Sequence, residues 1–253
     1  MPKLIILGSS TNIPDETHEN THMVLIGGEH MVLIDGPGNP FIRLRKAGLD
    51  EKKLTDIVMT HFHPDHVSGI PLLLMAFGLS HRREPLDIYA NQHCSEYMKK
   101  VLNFYGWKEW TSWHLFPITF HTIPEEEKFL LLETEEFRIF TSPVKHFIPT
   151  IGLRIEFKNN GKVIVYSCDT APTPNLIALA KDADILIHEA AGESGGHSSA
   201  LQAGESAAEA QVKELFLIHY PTNDFDYHDL VGEAAKAFDG PITMAEDFME
   251  FES

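Results

Sequence analysis

Cysteine is nearly absent from this chain. Cys94 and Cys168 are its two thiols and no C-x-x-C pair occurs, which argues against both a disulfide framework and a thiolate zinc site. No run approaches the roughly 18 apolar residues of a membrane-spanning helix. Met1-Pro2-Lys3-Leu4-Ile5-Ile6 reads as a strand and not as a signal peptide, so a cytoplasmic protein is expected. Positive charge is scarce as well: 20 Lys and Arg stand against 37 Asp and Glu, a formal net charge of −17 with histidine neutral. That balance repels phosphate backbones at long range. A nucleic-acid partner would therefore have to be held by a local basic patch or by bound metal. The clusters His81-Arg82-Arg83 and Lys99-Lys100 read as solvated faces instead of a binding stripe.

Hydrophobic residues make up 43 % of the 253 positions, enough for a sizeable core, and no repeat, low-complexity tract or long linker divides the chain. One domain over residues 1–253 is expected. Residues 3–8, 21–27 and 30–35 read as strands, with Gly27-Gly28-Glu29 as a hairpin turn. Phe41 to Ala47 reads as a helix, 55–60 as a strand, Val67 to Phe77 as an apolar helix, 86–90 as a strand and Cys94 to Phe104 as a helix. Phe116 to Tyr166 is mostly strand, turning at Glu125-Glu126-Glu127 and Asn159-Asn160-Gly161. After Asp169, helices near 173–181, 199–212 and 227–238 alternate with strands.

The chemistry is concentrated in Thr60-His61-Phe62-His63-Pro64-Asp65-His66, directly after the apolar run Ile57-Val58-Met59. Three imidazoles and a carboxylate packed this tightly each need a polar partner, and metal satisfies all four. Side chains two apart in an extended segment project the same way. His61 and His63 are thus placed to grip one ion while Asp65 and His66, further round the turn, reach a second. Neutral imidazole and carboxylate suit zinc, and also manganese or iron.

Further downstream, short apolar runs end repeatedly in a ligand type. Lys162-Val163-Ile164-Val165-Tyr166 leads to Asp169, Asp184-Ile185-Leu186-Ile187 to His188 and Glu189, Leu215-Phe216-Leu217-Ile218 to His219, and Phe137-Arg138-Ile139-Phe140 runs toward His146. A buried sheet whose site lies at its strand ends gives this pattern. Cys168 adjoins Asp169, but neighbours on a strand point to opposite faces, so it reads as a core thiol. His18, His22, His30, His81, His93, His114, His121 and His228 join no pattern.

The H-x-H-x-D-H motif and the ordered ligand types after it resemble the metallo-β-lactamase superfamily. That resemblance implies an αββα four-layer sandwich, with His61, His63 and His146 on one metal, Asp65, His66 and His219 on the other, and Asp169 bridging. Two divalent ions, the two aspartates and a bridging hydroxide would leave the site at about +1, which favours an anionic substrate. His188-Glu189-Ala190 and Gly196-His197-Ser198-Ser199, with Arg83-Glu84-Pro85-Leu86 and Leu7-Gly8, are similar to motifs of ribonuclease Z and its phosphodiesterase relatives. In that branch the glutamate and second histidine, here Glu189 and His197, form a dyad near the leaving group.

Three departures bear on the substrate. The branch inserts a protruding arm for the tRNA elbow between its third metal histidine and bridging aspartate, whereas the stretch from His146 to Asp169 has room for one hairpin. Glu19-Asn20 stands where the branch carries an Arg-Asn pair. The last metal histidine is followed by Tyr220-Pro221-Thr222-Asn223, not by a path toward Ser and Arg. The resemblance therefore implies a cytoplasmic hydrolase with two divalent ions, most simply Zn²⁺, acting on a small-molecule or short nucleotide phosphodiester instead of tRNA. Asp65, Glu189 and His197 would be catalytic, no membrane partner is expected, and a homodimer is compatible. A metallo-lactonase or other carboxylic ester hydrolase is the alternative. A di-iron oxidoreductase fits less well because His63 is not glutamate, and a non-catalytic binding module least, because every ligand position is filled.

Overall fold

A computed structural model describes residues 1–110, 116–222 and 229–253, apart from the side chains of Lys108 and Trp110. The chain opens with strands β1 (Lys3–Gly8), β2 (His22–Gly27) and β3 (His30–Ile34), then helix α1 (Pro40–Lys46), a 3₁₀ turn (Glu51–Lys53) and β4 (Asp56–Met59). Helices α2 (Pro64–Val67) and α3 (Ile70–Leu79) precede β5 (Leu86–Asn91), α4 (Gln92–Phe104), α5 (Trp107–Trp110) and β6 (Ile118–Ile123). The second half runs β7 (Phe129–Glu133), β8 (Phe137–Val144), β9 (Thr150–Phe157), β10 (Val163–Tyr166), α6 (Pro174–Ala180), β11 (Ile185–Glu189), α7 (Ala200–Ala210), β12 (Glu214–Ile218), α8 (Leu230–Ala234), β13 (Ile242–Met244) and β14 (Glu250–Glu252).

The described strands form two seven-stranded sheets, ordered β14-β1-β2-β3-β4-β5-β6 and β13-β12-β11-β10-β9-β8-β7. Each begins as an antiparallel meander and continues in parallel: β1 to β3 then β3 to β6, and β7 to β10 then β10 to β13. Alternation along the strands builds three apolar layers. Leu4 and Ile6 of β1 face Phe137, Ile139 and Ile155 of the other sheet. Ile5 and Leu7 face outward onto Leu73, Leu74 and Phe77 of α3 and Met98 of α4. On the far side, Leu186, Leu215 and Leu217 pack on α6 and α7. Strands buried on both faces read as continuous apolar runs, and the result is the αββα sandwich.

Two differences from the sequence reading matter for the site. The helix expected over 67–77 is two helices, because Gly69 sits where a Cβ would lie 2.5 Å from the Gly38 carbonyl, and Pro71 lacks the N–H that would continue the first helix. Its start moves back to Pro64 at the first helical position, which puts Asp65 and His66 in the first turn. Arg82 is not on a solvated face. It is 3 % exposed and its guanidinium donates to the carbonyls of Lys52, Leu54, Glu84 and Pro85. Short strands β13 and β14 and helix α5 were not anticipated. The helix read over 227–238 is α8, shorter and capped by Asp229 Oδ1 accepting from Gly232 N. Asn223, His114 and His228 lie outside the described residues.

Candidate metal centre

The ligand types named above lie at or beyond the carboxyl ends of strands: β4 leads into the turn His61–His66, and in the second sheet β8, β10, β11 and β12, which run in one direction, lead to His146, Asp169, Glu189 and His219. Ligand sites outside the carboxyl ends of strands are the general expectation for parallel sheets. Left-handed backbone at Cys168 and His219 (φ 54° and 53°) turns the chain sharply there and brings the side chains inward.

Three groups of ligand atoms lie within 4.8 Å of one another: His61, His63, His146 and Asp169; Asp65, His66, Asp169 and His219; and a buried one of His61, His66 and Cys168 that contains no carboxylate. Asp169 belongs to the first two. Its Oδ2 lies 3.7 Å from His61 Nε2, 4.0 Å from His146 Nε2 and 3.4 Å from His219 Nε2, and its Oδ1 lies 3.3 Å from His66 Nε2. Asp65 Oδ2 is 3.9 Å from Nε2 of both His66 and His219. His63 Nδ1 is 3.1 Å from His61 Nε2 and 3.2 Å from His146 Nε2.

Partners on the outer side of each ring fix which nitrogen faces in. His66 Nδ1 donates to Asp35 Oδ2 at 2.8 Å, His146 Nδ1 to the Gly196 carbonyl at 2.9 Å, and His219 Nδ1 to Thr21 Oγ1 at 3.1 Å. His61 Nδ1 reaches Thr60 Oγ1 at 3.1 Å, with Cys168 Sγ 3.6 Å away. On a neutral ring, as burial makes His61, His146 and His219, a protonated Nδ1 leaves a lone pair on Nε2. Buried lone pairs pointed at one another and at a carboxylate repel unless a cation lies between them. Among the described residues, His66 Nε2 and Asp169 Oδ1 have only each other, 3.3 Å apart and without the geometry of a hydrogen bond, although such buried atoms are normally satisfied. The donor set and these orphaned atoms fit divalent metal, and the outer hydrogen bonds are of the kind that orient metal-binding imidazoles.

Electrostatics agree for every ligand imidazole except His66. Burial, then the neighbouring His66, pushes His61 well below its ordinary pKa, and burial takes His219 down to about 4. Burial also opposes charge on His66, but Asp169 and Asp35 outweigh it and raise that imidazole well above the usual range. Burial would raise the pKa of Asp169, but the surrounding imidazoles, His219 first, hold it well below the carboxylate range. The pocket thus keeps a bare carboxylate among mostly neutral imidazoles.

Glu189 and His197 stand beside this cluster. His197 Nδ1 donates to Glu189 Oε1 at 3.0 Å, and backbone N–H groups of Thr170, Ala191 and Ser198 donate to the same carboxylate. Burial works against charge on His197, and the hydrogen bond and charge of Glu189 overcome it, so its pKa is raised. Ser198 Oγ donates to the Thr170 carbonyl, while Ser199 caps α7 in a reciprocal pair with Gln202. His188 is buried and donates from Nδ1 to the Glu189 carbonyl at 2.7 Å. A cleft of about 520 Å³ opens over the cluster, bordered by His63, Asp65, Asp169, His197 and His219. A larger groove of about 1050 Å³ lies elsewhere and touches none of these residues.

One placement differs from expectation and one residue was missed. Cys168 is a buried thiol, yet β10 has already ended at Tyr166, so strand alternation does not turn it away and its sulfur lies beneath His61. Asp35 was not singled out. It is fully buried and accepts from Thr60 N, Thr60 Oγ1 and His66 Nδ1. The signal was present: Met31-Val32-Leu33-Ile34 ends in a carboxylate, like the runs leading to the other site residues. Several of the unassigned histidines have local partners, His18 with Asp15, His30 with Asp56 and His121 with Asp87.

Comparison with known proteins gives a matching context. The sequence model of the beta-lactamase superfamily domain matches residues 30–220. Ribonuclease Z of Methanothermobacter thermautotrophicus is 26 % identical over 308 residues, covering 100 % of this chain and 97 % of the relative. That span exceeds the 253 residues of this chain, so the relative carries sequence with no counterpart here. The crystal structure of the metallo-β-lactamase fold protein YhfI from Bacillus subtilis superposes with a TM-score of 0.83 at 23 % identity, covering 100 % of this chain and 99 % of YhfI. A diphosphatase of the PhnP family superposes at 0.77 with 19 % identity, covering 100 % and 98 %.

Proposed function

The chain belongs to the β-lactamase superfamily, and from that membership we propose that it is a metal-dependent phosphodiesterase with two divalent ions. The observation that carries the dinuclear reading is the position of Asp169, one buried carboxylate shared by two groups of ligand atoms. His61, His63 and His146 would hold one ion and Asp65, His66 and His219 the other, with Asp169 between them. Imidazole and carboxylate donors without thiolate suit zinc. Such a pair of ions activates water, orients a phosphoryl group and neutralises charge on its oxygens.

The remaining work falls to this chain's own side chains. Asp65 borders the cleft and is placed to orient the attacking water and receive its proton. His197 has Nδ1 engaged by Glu189, so Nε2 is the atom that exchanges a proton with substrate. Its raised pKa keeps that proton available near neutrality for a departing oxygen. Glu189, fixed by backbone N–H groups, holds the ring in place. Nuclease relatives at 26 % identity support diester chemistry, whereas the net charge of −17 supports a small substrate over a long polyanion.

Hydrolysis of bis-p-nitrophenyl phosphate set beside a lactone panel tests the reading. Diester turnover by metal-loaded protein, abolished in Asp169→Ala, is expected; turnover confined to lactones would replace phosphodiesterase by ester hydrolase.

A further inference from the structure

Beyond its metal-facing floor, the cleft has a wall that the chemistry above does not use. Thr11, Asn12, Ile13, Pro64, Ala191 and Pro221 form it, and no Lys or Arg occurs among the described residues bordering the cleft. Ile13 is 51 % exposed, in a protein whose other isoleucines mostly lie in the core.

Its position is set by buried groups. Ser10 Oγ donates to the Ile13 carbonyl at 2.9 Å and lies 3.0 Å from Thr222 Oγ1, and both hydroxyl residues are buried. Thr11 N donates to the Tyr220 carbonyl, and the Asn20 side-chain amide donates to the Thr11 carbonyl. Asp15 closes the following turn, accepting from the N–H groups of Thr17 and His18. The loop backbone is thus tied to the segment that follows His219, and the Ile13 main chain is held beside the cleft. With its backbone already fixed, Ile13 brings only side-chain ordering to a ligand, which lowers the cost of the contact.

Resting on the phosphodiesterase reading, we propose that Ile13 is a specificity-determining residue and that the substrate is a phosphodiester monoanion bearing an uncharged apolar ring, which packs against Ile13, Pro64 and Pro221. The wall offers no cation for a second phosphate, and Asp15 and Glu16 next to it repel one. Beside the uncharged polar residues Thr11 and Asn12, the apolar contacts of Ile13, Pro64 and Pro221 are the part of the wall that an uncharged ring would use.

Calorimetric titration of zinc-loaded protein with diphenyl phosphate and with dimethyl phosphate tests this, with bis-p-nitrophenyl phosphate turnover measured on the same samples. Diphenyl phosphate is expected to bind at least about 10-fold more tightly, and Ile13→Ala to shrink that ratio by about 10-fold, the scale of a few lost methylene contacts. Ile13→Leu should restore it. Because the readout is a ratio, a general loss of folded protein cancels. Equal affinity for the two esters, or a ratio unmoved by Ile13→Ala, overturns the inference while bis-p-nitrophenyl phosphate turnover leaves the phosphodiesterase reading standing. Preference for diphenyl phosphate without any diester turnover overturns that reading, and the substrate class with it.

Discussion

Asp35 and His66 are both fully buried, and the imidazole donates from Nδ1 to the carboxylate at 2.8 Å. The same carboxylate accepts from the backbone and side chain of Thr60, so one side chain from the end of β3 fixes the start of the H-x-H-x-D-H turn and the tautomer of one of its rings. Asp35→Asn presents an amide N–H₂ to donors. It is expected to weaken metal binding at the Asp65, His66, Asp169 and His219 group by about 10- to 100-fold, the range for loss of an orienting carboxylate. The metal-free protein should also lose roughly 1–3 kcal/mol for unsatisfied buried groups. Zinc competition titration and urea unfolding of chelated protein measure the two effects; unchanged values in both would remove Asp35 from the account.

His197 divides the reaction by leaving group. An alkoxide leaves with a proton, whereas p-nitrophenolate leaves without one, so general-acid help of about 10²- to 10⁴-fold is needed only for the former. His197→Ala should lose that factor on a dinucleotide or cyclic diester and far less on bis-p-nitrophenyl phosphate, at unchanged metal content. Equal losses on both substrates would assign His197 a positioning role, and loss of metal would make it a ligand.

Much of this centre was legible in the sequence because ligand types sat at the ends of apolar strand runs, where local pattern and site geometry coincide. The outer partners were not. Thr21 and His219 are 198 residues apart, and the Gly196 carbonyl that holds His146 is a backbone atom with no identity in the sequence. Arg82 was misplaced because charge reads as exposure, yet four carbonyls bury it. The break between α2 and α3 depends on the approach of the Gly38 backbone to Gly69, a contact between distant loops. Layer order came with the family resemblance, which the strand-rich and alternating halves fit, but the pairing of β14 with β1 joins the two ends of the chain and has no local signal.

Acid should destabilise the metal-free protein partly through His188. Burial pushes this imidazole down to about 4 from an ordinary 6.5, so on acidification the unfolded chain takes up the proton first. The stability contributed by the neutral ring is complete above pH 6.5 and is lost as pH falls toward 4, at up to about 1.4 kcal/mol per pH unit. His188→Gln removes that dependence. The stability gap between wild type and variant should therefore narrow by up to about 2 kcal/mol between pH 6.5 and 4.5 in urea unfolding of chelated protein. A constant gap would show that folding leaves the His188 pKa unshifted, and a widening gap that folding raises it.

RNA should be a poor partner. Six to ten phosphate contacts on a duplex give a log–log salt slope steeper than about −5, and a net charge of −17 works against assembling such a set. Binding of a tRNA precursor is expected to be weak, with a slope shallower than about −2, in fluorescence anisotropy across salt concentrations. Tight binding with a steep slope would reveal a basic surface assembled in solution.

The dinuclear reading is tested most directly by titrating chelated protein with Zn²⁺ while following bis-p-nitrophenyl phosphate hydrolysis. Activity should rise to a plateau at two equivalents per chain, with Asp169→Ala binding neither ion tightly and showing no plateau. Full activity at a single equivalent, or two bound ions with no diester hydrolysis, would contradict the account.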